Sequence, residues 1–347
     1  MFQVIVMWNL ARPDQELTEV VNSITLRGYN KDTFITGEFA WKIAEGEIKP
    51  LSVSDIADKY CSTRRDLYFE KGLNRLPRRI RRRMTTWGVE AGNLVENYVL
   101  SVFKASKSFI DQKYRDIIKI SDENYNNYLS NNVNLIEGLR NLEERFPDEK
   151  GNTEWLKKLL KSNGRAEFAF QYLNEILKED ISINDKDILC GEYSRIDVQT
   201  KRMHHIKQIG INLPAAPDFI IPKYGIVGDI KTGIEFKSHF QLTCAGYALV
   251  YENVKGEGNH INWGIIYFFP TRNPSLFRKS ITFAQVYIFP IDNYLRNEFL
   301  AKRDEAYVII SSPQKPPLPQ LNERKHCKYC KFRKICEQDG LNLEVGG

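Results

Sequence analysis

The sequence predicts an α/β fold: a mixed central sheet flanked by helices, with a helical insertion and a C-terminal cysteine-bearing lobe attached. Three observations lead there. Two apolar runs, Pro217–Pro222 and Gly225–Lys231, are separated by a Tyr-Gly turn and read as short strands, and further β-favouring runs occupy Trp263–Phe269 and Ile281–Phe289. Helical periodicity surrounds them, most clearly in the apolar positions 87, 91, 94, 95, 98, 99, 102 and 103. A proline-rich stretch, Ser311–Pro319, cannot continue helix or sheet and sets apart a terminal segment with Cys327, Cys330 and Cys336.

At 347 residues, 42% of them hydrophobic and 27% charged, the chain can bury a sizeable core and has the composition of a soluble globular protein. Its formal charge of +6 is modest but unevenly placed, which suits a local anionic partner. The Phe2–Leu10 run is short and lacks a basic flank and a small-residue cleavage site, so no signal peptide or membrane span is expected. The expected location is the cytoplasm, where the six cysteines serve as thiols or metal ligands rather than disulfides. No Walker A loop is present, which argues against a fused helicase.

Five segments follow from the patterning. Residues 1–50 carry a short apolar run and polar turns without a readable role. Residues 51–104 are helical: Ser52 and Asp55 form a capping-box pair, Cys61 falls near a helix end, and Gly92 and Glu96 lie one turn apart beside the apolar stripe. Between them, Arg75–Arg83 holds six arginines and no acid, either a solvated helix face or a patch for nucleic-acid backbone. Residues 105–182, rich in Lys, Asn, Asp and Glu, read as a helical insertion with segments at Asn134–Phe146 and Thr153–Leu177. Residues 183–310 form the core: strands at Asp187–Val198 and Met203–Ile211, the Asp218 region, a helix over 238–252, two more strands and a helix over Asp292–Tyr307. His204 and His205 fall near a turn and read as exposed. Residues 311–347 form the terminal lobe.

The chemistry concentrates in the core. Side chains alternate along a strand, so Asp229 and Lys231 share a face, and a hairpin return sets Asp218 beside them. Two carboxylates and an amine then converge, the set that phosphodiester hydrolysis uses: carboxylates hold Mg²⁺ or Mn²⁺, and a lysine orients the attacking water or steadies the oxyanion. On a plainer view Asp218 caps a strand and the D-x-K charges are solvated. Against that, the charges interrupt strands apolar enough to be central, where an unpaired charge is costly.

The Asp229-Ile-Lys231-Thr-Gly233 pattern after Asp218, with Tyr247-Ala-Leu-Val-Tyr-Glu252 on the next helix, resembles the RecB-type branch of the PD-(D/E)xK nucleases. Many members carry glutamine one turn before that tyrosine; Thr243 stands there instead, and Gln241 lies on a different part of the helix. The Gly92–Glu96 helix resembles one that brings a histidine to the metal in those nucleases, with Glu96 in the histidine's place. A carboxylate is an acceptable ligand for Mg²⁺ or Mn²⁺.

Cys327, Cys330 and Cys336 form a C-x2-C-x5-C cluster, too close together for ordinary core residues. A metal centre needs a fourth ligand. For zinc, His326, Cys190, Cys244 or Cys61 could supply it. One distant cysteine with three terminal ones also resembles the iron-sulfur nucleases of the RecB-like group, which implies a [4Fe-4S] cluster on Cys61, Cys327, Cys330 and Cys336. Leu51–Tyr68, the Asp229–Gly233 strand, Ala245–Glu252 and the terminal cysteines together resemble the CRISPR-associated Cas-four exonuclease family, particularly its archaeal Csa-one branch. That resemblance implies a restriction-endonuclease-like core, an iron-sulfur lobe, and cleavage of single-stranded DNA with Mg²⁺ or Mn²⁺. It also implies trimming of spacer precursors for the CRISPR integrase and its companion adaptation proteins, with Asp218, Asp229 and Glu96 on the metal and Lys231 at the water. Two alternatives remain at this point: a catalytically silent DNA-binding subunit of the adaptation complex, and a RecB-like repair nuclease.

Overall fold

The structure, a computed structural model, describes residues 3–6, 51–58, 60–73, 87–97, 99, 133–163, 189–190, 215–255, 259–271 and 285–343. The arginine run of 75–83, most of the expected 187–211 hairpin with His204 and His205, and residues 105–132 and 164–182 of the insertion lie outside these. In chain order the elements are β1 (Gln3–Val6), α1 (Val53–Ala57), α2 (Arg65–Leu67, continued as a π-helical turn, Tyr68–Gly72) and α3 (residues 87–97 and 99). Then come α4 (Val133–Arg145), α5 (Lys150–Asn163), β2 (Leu189–Cys190), β3 (Phe219–Ile221), β4 (Ile226–Gly233) and α6 (His239–Lys255). The chain continues through β5 (Trp263–Pro270), β6 (Gln285–Pro290), α7 (Asn293–Ser311), a 3₁₀ segment (Leu321–Tyr329) and α8 (Arg333–Gln338).

The described strands form one mixed six-stranded sheet in the order β1-β6-β5-β4-β3-β2. β4 runs parallel to β5, β5 antiparallel to β6, and β3 is antiparallel to both β4 and β2. The apolar N-terminal run contributes β1, which pairs parallel with β6 at the sheet edge. Every residue of β5 is buried, as the continuous WGIIYFFP run requires of a central strand covered on both faces.

Alternation divides the sheet between two helical layers. Ile220, Val227, Ile266, Phe268, Tyr287 and Phe289 pack with α1, α6 and α7. Phe219, Ile221, Ile226, Ile230, Ile265, Tyr267 and Phe269 pack instead with Trp87, Ala91 and Val95 of α3 and with leucines of α4 and α5. On β4 the odd positions therefore face α6, and these include Asp229 and Lys231.

Three local features fix this frame. The β3–β4 hairpin turns through Pro222–Tyr224 to Gly225, whose φ of 61° is left-handed and where a Cβ would meet the His260 carbonyl oxygen at 2.7 Å. The capping box of Ser52 and Asp55 starts α1, but the helix ends at Ala57, earlier than the sequence suggests. The reason is Arg64, itself left-handed at φ 58°, whose buried guanidinium donates to the carbonyls of Asp55, Ile56 and Asp58 at 2.7, 2.7 and 2.8 Å and so caps the helix C-terminus. Cys61 consequently lies in a turn rather than in a helix.

The last feature is a lock at the far end of α6. Glu252 Oε1 accepts from Arg296 Nη2 of α7 at 2.6 Å and from the Ile261 N–H at 2.8 Å, while Arg296 Nη2 also donates to the Ile261 carbonyl at 2.7 Å. Both side chains are buried. The glutamate of the Tyr247–Glu252 pattern thus ties α6, α7 and the start of β5 together. Replacing it strands a buried guanidinium, so Glu252→Gln is expected to lower stability by about 3–5 kcal/mol, measured by urea unfolding.

Candidate active site

The β3–β4 pairing places Phe219 opposite Gly228, so the same register carried one residue further sets Asp218 opposite Asp229. The Asp218 carboxylate accepts a hydrogen bond from the Ile230 N–H, which holds it across the strand end. Asp229 is sunk in the sheet with its side chain 2% exposed, and its Oδ2 lies 2.6 Å from Lys231 Nζ, whose side chain is 28% exposed. That pair is a short, charge-assisted contact in which the ammonium donates to the carboxylate. The Lys231 ammonium lies 6.0 Å from the centroid of the Phe240 ring on α6.

Glu96 approaches from the other layer. Gly92 lets α3 come against the end of β4, since a Cβ there would meet Thr232 Oγ1 at 3.0 Å. One turn on, Glu96 stands half-buried within electrostatic reach of Lys231 and Asp229. On α6, Tyr247 and the fully buried Cys244 complete the surroundings; burial raises both well above their ordinary values, and the carboxylates of Asp229 and Asp218 add to the rise.

The electrostatics are those of a crowded acidic pocket. Burial, then the neighbouring Asp229, pushes the Asp218 carboxyl well above the usual carboxylate range. Burial also raises Glu96, with Lys231 opposing and Asp229 adding to the rise. Burial works against the Lys231 charge, but Asp229 and Asp218 outweigh it and hold the ammonium above its ordinary value. Three carboxyl groups therefore face one lysine, and at Asp218 both burial and Asp229 work against the charged form.

A divalent cation fits this donor set. The ligands are hard oxygens, and three carboxyl groups outnumber the single ammonium of Lys231. Among the described residues no three His, Cys, Asp or Glu side chains stand close enough to grip one ion, so ligation requires side-chain rotation.

The four cysteines Cys61, Cys327, Cys330 and Cys336 line a single pocket with Tyr60, Arg65 and His326. Tyr68 and Phe69 pack with Phe332, Cys336 and Leu341 beneath it, so the terminal lobe docks on the segment that carries Cys61. Polar contacts close the joint: Tyr60 Oη donates to the His326 carbonyl at 3.0 Å, Ser62 Oγ to Glu323 at 2.8 Å, and Arg65 pairs with Asp339. Cys330 Sγ accepts from the Phe332 N–H at 3.4 Å, an interaction that favours thiolate. Burial raises the Cys327 and Cys330 thiols, the latter to about 11, and Cys61 and Cys336 raise both further. Thiols that hinder one another's ionisation in this way become ligands once a cation compensates them.

Of the fourth ligands open to a zinc centre, Cys61 and His326 share this pocket. Cys244 does not, since its electrostatic neighbours are Asp229, Lys231 and Asp218. Cys190 pairs through its backbone with Phe219 in the sheet. Gln241 and Thr243 lie on α6, where the Thr243 hydroxyl donates to the His239 carbonyl at 3.1 Å and is turned to its own helix. Sequence reasoning passed over His239, a residue beside Lys231 and Asp229 that belongs to no recognisable spacing.

Among the described residues no helix is long and apolar enough to cross a membrane. No curated protein and no solved structure matches the chain. A family model described as CRISPR-associated exonuclease Csa1 matches residues 40–339, a span running from before Cys61 through the β3–β4 hairpin and α6 to beyond Cys336. The chain therefore belongs to the CRISPR-associated exonuclease Csa1 family.

Proposed function

We propose that this chain is a divalent-metal-dependent exonuclease of single-stranded DNA, built on a restriction-endonuclease-like core. The observation that carries the reading is the meeting of Asp218, Asp229 and Lys231 at the ends of β3 and β4, with Glu96 brought in from α3. When bound, Mg²⁺ or Mn²⁺ supplies Lewis-acid stabilisation of the phosphate and a more acidic water. Asp218, Asp229 and Glu96 would hold it. Lys231, beside Asp229, would orient the attacking water and meet the charge that develops on the phosphate oxygens. Asp229 itself is sunk away from bulk water, while Lys231 and Glu96 remain partly open to it.

For the terminal lobe the proposal is a [4Fe-4S] cluster on Cys61, Cys327, Cys330 and Cys336, supported by four thiols on one pocket and an N–H directed at a sulfur; the thiols would have to draw together to ligate it. Such a cross-link would tie the Cys61 turn to the C-terminal segment and restrict a very long loop in the unfolded chain. Family membership supports work beside the CRISPR integrase and its adaptation partners in the cytoplasm, trimming spacer precursors.

Two outcomes check this. Lys231→Ala and Asp229→Ala, folded as the parent by circular dichroism, are expected to lose at least about 100-fold in Mn²⁺-dependent cleavage of single-stranded DNA. Parental rates in either variant would sink the assignment, and absence of any cleavage by the intact, cluster-loaded protein would leave a DNA-binding subunit. For the lobe, anaerobically isolated protein is expected to be brown, with iron and acid-labile sulfide that are lost in Cys61→Ser. One equivalent of zinc without sulfide would establish the other metal centre.

A further inference from the structure

His239 begins α6, with its ring edge-on to Phe240 at a centroid distance of 4.7 Å. The Lys231 ammonium approaches that same phenyl ring. His239 Nε2 faces Asp58 Oδ1 at 3.7 Å, and this carboxylate comes from a separate element, the residue that closes α1. The charges acting on the imidazole are those of Asp58, Lys237, Lys231 and Asp229, so an aspartate–histidine pair stands just outside the lysine–aspartate pair. The Asp58 side chain is 53% exposed, His239 and Lys231 are partly exposed at 23% and 28%, and Asp229 is sunk at 2%, so His239 and Lys231 are both open to an entering strand.

Stability does not account for this pair. A contact so exposed adds little to stability, all the less while the imidazole is uncharged. Yet both partners are held in place: the buried Arg64 fork grips the Asp58 carbonyl, and α6 fixes the His239 backbone. Nε2 is turned toward the Asp58 carboxylate at 3.7 Å, so the other ring nitrogen is directed away from it. Burial, aided by Lys237 and Lys231, holds the free imidazole below its ordinary value against the pull of Asp58 and Asp229. An arriving anion reverses that balance and draws a proton onto the ring. Within the nuclease reading, on which this rests, the anion at hand is the substrate's own sugar-phosphate backbone.

We infer that His239, oriented by Asp58, binds the backbone phosphate of the single-stranded substrate next to the linkage that is cut. The contact is a charge-assisted hydrogen bond, and it sets where the strand lies relative to Lys231.

The test is binding of single-stranded oligodeoxynucleotides by fluorescence anisotropy in buffer free of divalent cations, so that it does not depend on cleavage. One strand is all phosphodiester; the others each carry one neutral methylphosphonate, moved along the chain. His239→Ala is expected to weaken binding of the unmodified strand about tenfold. In the parent protein a methylphosphonate at one linkage produces the same loss, and at that linkage His239→Ala shows no further loss. Asp58→Asn is expected to give an intermediate loss, and the gap between parent and His239→Ala widens from about pH 8 to about pH 6 as the ring gains its proton. Unchanged binding by His239→Ala, or losses that simply add at every linkage, would overturn the inference while the nuclease reading stands. A parent protein that binds none of the strands would overturn both.

Discussion

Everything in this molecule that bears on its activity depends on one electrostatic imbalance. Asp218, Asp229 and Glu96 meet one ammonium, Lys231, in a place where burial raises the cost of each uncompensated charge. A core arranged for stability alone would put apolar side chains there, since paired buried charges rarely outperform a well-packed hydrocarbon. The protein instead raises the Asp218 carboxyl well above the usual carboxylate range by burial and by the neighbouring Asp229, and sets the one lysine against the buried Asp229. In the proposed function a divalent cation would relieve this imbalance.

The rest of the fold holds that imbalance in place. Hairpin register puts the two aspartates opposite one another, Gly225 makes the turn that sets the register, and Gly92 admits α3 close enough to present Glu96. At the other end of α6, Glu252 and Arg296 fix the helix against α7 and the start of β5. Arg64 ends α1 and thereby sends the chain toward Cys61 and the terminal lobe. Asp58 stands between the two regions, its backbone bound by Arg64 and its side chain facing His239.

Much of this was legible in the sequence where a simple period governs. The D-x-K spacing put Asp229 and Lys231 on one face because strand alternation admits no other outcome, and the unbroken apolar WGIIYFFP run marked a strand buried on both sides. The pairing of Cys61 with cysteines more than two hundred and fifty residues away was legible only through resemblance. What stayed hidden depends on contacts with no sequence period. Arg64 looks like one more basic residue until its guanidinium is seen to collect three carbonyls, and that contact shortened α1 relative to expectation. Glu252 reads as part of a motif, but its partner Arg296 lies on another helix. His239 and Asp58 meet only because α1 packs beside the start of α6.

The central claim is that buried carboxylate charge is what a divalent cation relieves. Thermal unfolding with and without Mn²⁺, in the parent and in Asp229→Asn, tests it without reference to catalysis. The account predicts that Mn²⁺ raises the parent's Tm in a concentration-dependent way, as a ligand of the folded state must, and that Asp229→Asn loses most of that rise. An equal Mn²⁺-induced shift in both proteins, or none in the parent, would contradict it.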